Sequence, residues 1–148
     1  MIDAIDKRLL ELLSKNAYAT ATELSAAVNL SVPAVNKRLL KLRDRGVIRT
    51  STILTDAKLV GKPIVAFIFL VIRYGEGVNS LLEKLENDPD VLECHAVTGE
   101  YDYIIKICAE SVEMLEEKLL HFKKQKGVMK SHTMLSLAEH KHTPTLLP

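Results

Sequence analysis

Ser31-Val32-Pro33-Ala34-Val35-Asn36-Lys37-Arg38-Leu39-Leu40-Lys41-Leu42-Arg43-Asp44-Arg45-Gly46 is the stretch on which the reading of this chain turns. Ser31 can cap a helix, Pro33 fits only a first turn, and Gly46 suits the left-handed residue that ends it. At 3.6 residues per turn Val35, Leu39 and Leu42 share one apolar stripe. Pro33, Lys37, Leu40, Lys41 and Asp44 fall roughly opposite, with Ala34, Asn36 and Arg38 on the flanks. A helix with an aliphatic back and a cationic front can lie on a three-helix core and enter a nucleic-acid groove. It can also be an ordinary solvated basic face, so the surrounding pattern has to decide.

Upstream, Asp3 can cap a first helix whose apolar positions are Ile5, Leu9, Leu12 and Leu13. Thr20 and Glu23 have the T-x-x-E form of a capping box, so a second, short helix starts near Ala21 with Leu24, Ala27 and Val28 inward. Asn29 and Leu30 make a tight turn into the third helix. Three short helices with a tight turn before the third form a helix-turn-helix. The N-terminal part of a recognition helix usually reaches base edges, which makes Pro33, Ala34, Asn36, Lys37 and Arg38 the base-reading candidates. Asn pairs bidentately with adenine, and Lys or Arg with guanine. Ser31, Lys41, Arg43, Arg45 and Arg49 are placed for phosphates, which set register without carrying sequence information.

Charge supports that division. Residues 1–62 carry 11 Lys+Arg against 6 Asp+Glu, and residues 63–148 carry 9 against 13. A basic half beside an acidic half implies that the first half meets a polyanion, double-stranded DNA.

After an extended segment Ile48 to Leu54 and a link closing at Lys62, the hydrophobic period changes. Ile64 to Tyr74 reads as a strand buried on both faces. Val78, Leu81, Leu82 and Leu85 sit at i, i+3, i+4 and i+7, and that helix stops before Asp88-Pro89. Val91 to Thr98 and Tyr103 to Ala109 are strands around the turn Gly99-Glu100-Tyr101-Asp102. Ser111 caps a helix with Leu115, Leu119 and Phe122 inward, Gly127 ends it, and Val128 to Leu137 is the last strand. The order β-α-β-β-α-β is the ferredoxin-like split unit, whose right-handed crossovers put both helices on one sheet face. The other face stays bare in a monomer, so a homodimer is expected. The predicted fold class is α+β. Its helix-turn-helix domain spans 1–49, a linker strand 50–62, an αβ sandwich for ligand binding and oligomerisation 63–138, and a loose tail 139–148.

Several classes fall away. No apolar run reaches the ~20 residues of a membrane span, and no charged-then-apolar leader opens the chain. The default location is the cytoplasm, with no membrane partner. Cys94 and Cys108 make no disulfide framework. His95, His121, His132, His140 and His142 lack a Cys or carboxylate cluster at ligand spacing, so neither metal nor cofactor is expected. No nucleophile elbow, P-loop or H-E-x-x-H occurs, and the chain reads as a non-enzyme.

Taken in order, these segments resemble the Lrp/AsnC (leucine-responsive, feast/famine) family of transcriptional regulators, over nearly every residue from Ile2 to about Leu137. Asp6-Lys7-Arg8-Leu9-Leu10 is similar to that family's opening helix. Ser31, Val35, Arg38, Leu42 and Gly46-Val47-Ile48 resemble its recognition helix and exit, and Leu59 with Gly61 its pre-sheet element. Gly99-Glu100-Tyr101-Asp102 resembles its G-x-Y-D turn, and Gly127-Val128 with Thr133 its last strand. Family members often carry an acid where Arg43 stands, and the tail here is short. The resemblance implies a winged-type helix-turn-helix, an amino-acid-binding sandwich, and dimers assembling to a tetramer or octamer. It also implies an effector site between dimers near the middle-strand turn, formed here by Gly99, Tyr101, Asp102 and Thr133. A carboxylate can hold an ammonium, and glycine lets backbone N–H groups approach a carboxylate. The competing account of the same residues is a β-turn in which Asp102 caps its own backbone. A haem-pathway decarboxylase of siroheme type on the same scaffold is the alternative function. It needs converging arginines, and residues 63–148 hold one, Arg73.

Overall fold

The computed structural model describes residues 2–73, 75 and 77–148. It divides into two compact units. One runs to Leu54 and includes Lys141–Pro148; the other is Thr55–His140.

In the first unit, α1 (Ala4–Lys15) starts at a capping box in which Asp3 and Asp6 each accept from the other's backbone N–H. The Thr20/Glu23 box opens α2 (Ala21–Val28), and Asn29 ends it in the left-handed conformation. Asparagine tolerates that conformation better than other side chains bearing a Cβ. Ser31 Oγ caps α3 (Val32–Asp44), with Pro33 in its first turn. Gly46 follows at φ +70°, where a side chain would be strained. Leu42's carbonyl then accepts from the N–H groups of Val47 and Ile48. Leu9, Leu24, Val35 and Leu39 form the core, flanked by Ile5, Leu12, Leu13, Val28 and Ile48. Ala27, expected inward, is exposed. A helix of 8 residues turns only one narrow stripe inward, and Leu24 and Val28 occupy it. The expected extended stretch Ile48–Leu54 forms no strand ladder among the described residues.

The second unit orders β1 (Ile64–Ile72), α4 (Val78–Asn87), β2 (Val91–Ala96), β3 (Tyr103–Ala109), α5 (Val112–Lys123) and β4 (Val128–Leu135). The sheet order is β2-β3-β1-β4, with every neighbour antiparallel. This is the split unit expected from the element order. β1 ends at Ile72, two residues before the expected Tyr74, which lies outside the described residues. β2 and β4 each stop two residues short of expectation, at Ala96 and Leu135. Ala66, Ile68, Leu70 and Ile72 of β1 and Ile105, Ile107 and Ala109 of β3 are buried under Val78, Leu81, Leu85, Leu115 and Phe122. Both helices therefore cover one face.

The alternate β1 residues Val65, Phe67, Phe69 and Val71 are only half-buried. The expectation that β1 is buried on both faces thus fails in the single chain. Its continuous apolar composition serves two surfaces, and the helices cover one.

At the foot of this unit Lys62 Nζ donates to Asp90, and Lys118 Nζ lies 2.8 Å from Asp88 and 2.9 Å from Asp90. Lys62, then Lys118, hold the Asp90 carboxyl below the usual carboxylate range. Burial pulls Lys118 down, but its bonds to Asp88 and Asp90 outweigh that and leave it raised. A carboxyl with a depressed folded pKa stabilises the fold at pH above its unfolded pKa, and loses that contribution as pH falls through the folded value. Urea unfolding should therefore show wild type more stable than Asp90→Asn at pH 7. The gap should persist to about pH 5 and close below about pH 4. A gap of equal size at pH 3 would assign it to something other than the charge.

Candidate nucleic-acid interface and effector site

The α3 helix presents its residues as its caps and stripe dictate. Val35, Leu39 and Leu42 are buried behind it. Ser31, Pro33, Asn36, Lys37, Lys41, Arg43, Arg45 and Arg49 are exposed, and Ala34 is half-buried on the flank. Ser31 Oγ is committed to the cap, accepting from the Ala34 N–H at 3.4 Å, and keeps its own hydroxyl proton to donate.

Arg38 is placed differently. Its Nη1 donates to Asp3 Oδ2 at 2.6 Å and to Asp6 Oδ1 at 2.8 Å. Asp6 is buried. The guanidinium thus ties the middle of α3 to the capping box of α1. The Asp6 backbone N–H, then Arg38, keep Asp3 below the ordinary carboxylate range, and Asp3 in turn raises Arg38. Arg38 was expected among the base readers; here its side chain is turned along the flank toward two carboxylates. Sequence reading placed Asp3 only as a helix cap and Asp6 only within the family-like opening helix. The signal it passed over was a pair of acids at i, i+3 next to a flank arginine, both near the same apolar stripe.

In the second unit, the turn 99–102 lies at the end of the sheet. Gly99 has φ +118°, which favours glycine. A shallow hollow of about 550 Å³ opens on the uncovered sheet face, lined by Phe69, Ala96, Val97, Thr98, Glu100, Tyr101 and Ile104. The Tyr101 ring lies 5.2 Å from Phe69 and 6.4 Å from His132, and Lys130 Nζ is 5.9 Å from its centroid. Aromatic walls and a nearby cation suit a small zwitterion with an apolar side chain.

Of the four expected effector residues, the structure gathers Tyr101 to this hollow with Gly99 beside it, and places the other two elsewhere. Asp102 Oδ2 accepts from the Ile72 N–H at 2.8 Å, while its own N–H donates to Leu70 O. It carries contact between β1 and the start of β3 beyond their last pair, Leu70 with Tyr103, to the place where β1 shifts register against β4. The Ile72 N–H belongs to the neighbouring strand, not to the turn whose own backbone the competing account had Asp102 cap. Thr133 pairs with Ile68, so alternation puts it on the helix-covered face, away from the hollow. Its neighbour His132, opposite Phe69, is the β4 residue on the hollow's side. Sequence reading missed Phe69, Ile104 and His132 because face assignment needs the register of all four strands.

Removing Asp102 should destabilise the fold by about 1–3 kcal/mol, since the buried Ile72 N–H loses its acceptor. Asp102→Asn retains an acceptor oxygen and should unfold near wild type. Equal destabilisation of the alanine and asparagine variants would show that the carboxylate charge is what the strand needs.

Comparison with known proteins follows the same division. A family model for a winged helix-turn-helix DNA-binding domain matches residues 2–49, and one for the Lrp/AsnC ligand binding domain matches residues 65–146. The chain belongs to the Lrp/AsnC family. It is a transcriptional regulator with a helix-turn-helix domain and a family ligand-binding domain. The HTH-type transcriptional regulator FL11 of Pyrococcus furiosus is 32% identical over 146 residues, covering 99% of this chain and 96% of the relative. The regulatory protein AsnC of Escherichia coli strain K12 is 29% identical over 121 residues, covering 82% and 80%. A transcriptional regulator of Neisseria meningitidis, solved as a complex with L-methionine, superposes with TM-score 0.91 at 30% identity, covering 99% of this chain and 96% of that one. The feast or famine regulatory protein of M. tuberculosis, also complexed with L-methionine, gives TM-score 0.91 at 26% identity over the whole of both chains. Among the described residues no helix is long and apolar enough to cross a membrane, and no group of three or more metal-ligating side chains occurs.

Proposed function

We propose that this Lrp/AsnC regulator reads duplex DNA with Pro33, Ala34, Asn36 and Lys37. Lys41, Arg43, Arg45, Arg49 and the Ser31 hydroxyl meet phosphates, and Arg38 acts as a positioning residue. The carrying observation is a doubly capped α3 with an aliphatic back and an exposed cationic front. Two copies would set their recognition helices about 34–36 Å apart on a roughly palindromic site. The half-buried sheet face of Val65, Phe67, Phe69 and Val71 supports a homodimer, and dimers would build to a tetramer or octamer. The regulator works in the cytoplasm as a non-enzyme. The relatives and superposing structures named above are described as regulators, which supports the regulator over the decarboxylase.

Mobility shifts on a selected operator test the reading side. Lys37→Ala should cost about 1–3 kcal/mol and relax one base preference, as expected of a side chain on a base edge. Arg38→Ala should instead lower the melting temperature of the first unit and weaken all duplexes alike. A changed base preference in Arg38→Ala would return that residue to the base readers.

For the effector, the hollow beside Gly99 and Tyr101 would take an amino acid whose side chain lies on Phe69 and Ile104. Methionine is the first to titrate, since two similar structures carry it. Bound between dimers, it would bias assembly and so operator occupancy, a coupling between two sites. Calorimetry should give heat with wild type and none with Tyr101→Ala. Asp102→Asn should abolish the heat if the carboxylate holds the ammonium, and preserve it if Asp102 serves the strand alone. No heat with any of the twenty amino acids would end the sensing proposal.

A further inference from the structure

On α3 only one large apolar side chain is exposed: Leu40, at 58%. The helix has no need of it there. Its core stripe is already complete in Val35, Leu39 and Leu42, and at an exposed helical position a charged side chain folds as well as leucine. Its place on the surface is specific. Lys37, Leu40, Lys41 and Asp44 stand at i, i+3, i+4 and i+7, all exposed and all opposite the buried stripe. Three-helix readers that lay their last helix in a major groove touch it with positions at this same spacing. Leu40 is thus flanked along the helix by Lys37 on one side and Asp44 on the other, with Lys41 adjacent.

We infer that Leu40 is a specificity-determining residue that packs on the C5-methyl group of a thymine next to the base pair read by Lys37. In the major groove thymine is the base that offers an apolar projection, and apolar side chains read it by contact. A leucine there also works against the alternatives, because it leaves a cytosine amino group or a guanine carbonyl without a hydrogen-bond partner. The inference rests on the reading of α3 given above and adds to it the identity of one base.

The test uses the full chain and a duplex enriched from a random pool by wild type. Each thymine of the enriched site is replaced singly by deoxyuridine, which removes the methyl and leaves pairing intact. One position in each half-site should weaken wild-type binding about fourfold, the value of one buried methyl-sized group. With deoxyuridine at that position in both half-sites the loss should be about sixteenfold, and Leu40→Ala, which lacks the leucine in both copies, should bind the thymine duplex about as weakly as wild type binds this doubly replaced duplex and should not distinguish the two. Because Leu40 is exposed, Leu40→Ala should melt with wild type. Deoxyuridine without effect at every position, or a Leu40→Ala variant that still binds the thymine duplex more tightly than the deoxyuridine duplex, overturns the inference while leaving DNA reading intact. A change of oligomeric mass in Leu40→Ala also overturns it, by assigning the leucine to a protein contact. Failure to enrich any sequence would defeat the reading of α3 itself, a distinguishable result.

Discussion

Leu9→Ala is expected to abolish DNA binding at ordinary temperature while leaving the sheet unit folded. Leu9 has no exposed surface, and it is the α1 residue among Leu24, Val35 and Leu39. Truncating a buried leucine costs about 2–5 kcal/mol, from lost transfer energy and the cavity left behind. A unit made of the chain up to Leu54 together with Lys141–Pro148 buries too little apolar surface to absorb that, since small domains are marginal to begin with. The aliphatic back of α3 would lose its seat, and the cationic front would lose its fixed aim. Thermal melting followed by helical signal should show the first unit's transition displaced downward or absent. The β1–β4 transition should stay in place, because the core of Ala66, Ile68, Leu70, Ile105 and Phe122 shares no residue with the first. A variant that melts as wild type and still shifts DNA would show that the four-residue cluster is not what holds α3.

Raising salt from 50 to 200 mM should weaken operator binding by about 10³–10⁵, the behaviour of a protein neutralising six to ten phosphates. Lys41, Arg43, Arg45 and Arg49 supply four exposed cations per copy, and two copies on one duplex bring the count into that range. Every phosphate neutralised releases condensed counterions, so the logarithm of affinity falls linearly with the logarithm of salt. Arg43→Gln should flatten the slope by about 0.9 for each phosphate contact removed, with base preference unchanged. Arg43 is the position to remove because it is an exposed cation in the last turn of α3, so its charge tests whether the end of that helix lies on the phosphate track. A slope near zero, or one that Arg43→Gln leaves untouched while Arg49→Gln flattens it, would move the phosphate track off the end of α3.

Much of this was legible residue by residue. The capping residues Asp3, Thr20 and Ser31, the turn at Asn29, and Gly46 all stand where local pattern put them, because caps and turns are written within three or four positions of one another. The β-α-β-β-α-β order followed from the change of hydrophobic period, and handedness then left one sheet topology. Less legible was anything that depends on two distant segments. Arg38 and Asp3 are 35 positions apart, and no periodicity connects them. Asp102 and Thr133 were expected at the effector site from the family-like turn and last strand, yet one accepts from the Ile72 N–H and the other faces the helices.

By itself, then, the chain determined the order of its helices and strands, the caps that open its helices and the stripe that α3 turns to solvent, since each is a matter of short-range backbone chemistry and amphipathic period. The tertiary structure alone decided which charged groups are spent within the fold and which are left for a ligand. A side chain's partner is chosen by three-dimensional neighbours, and antiparallel register, fixed only when all four strands are paired, sends successive residues to opposite faces.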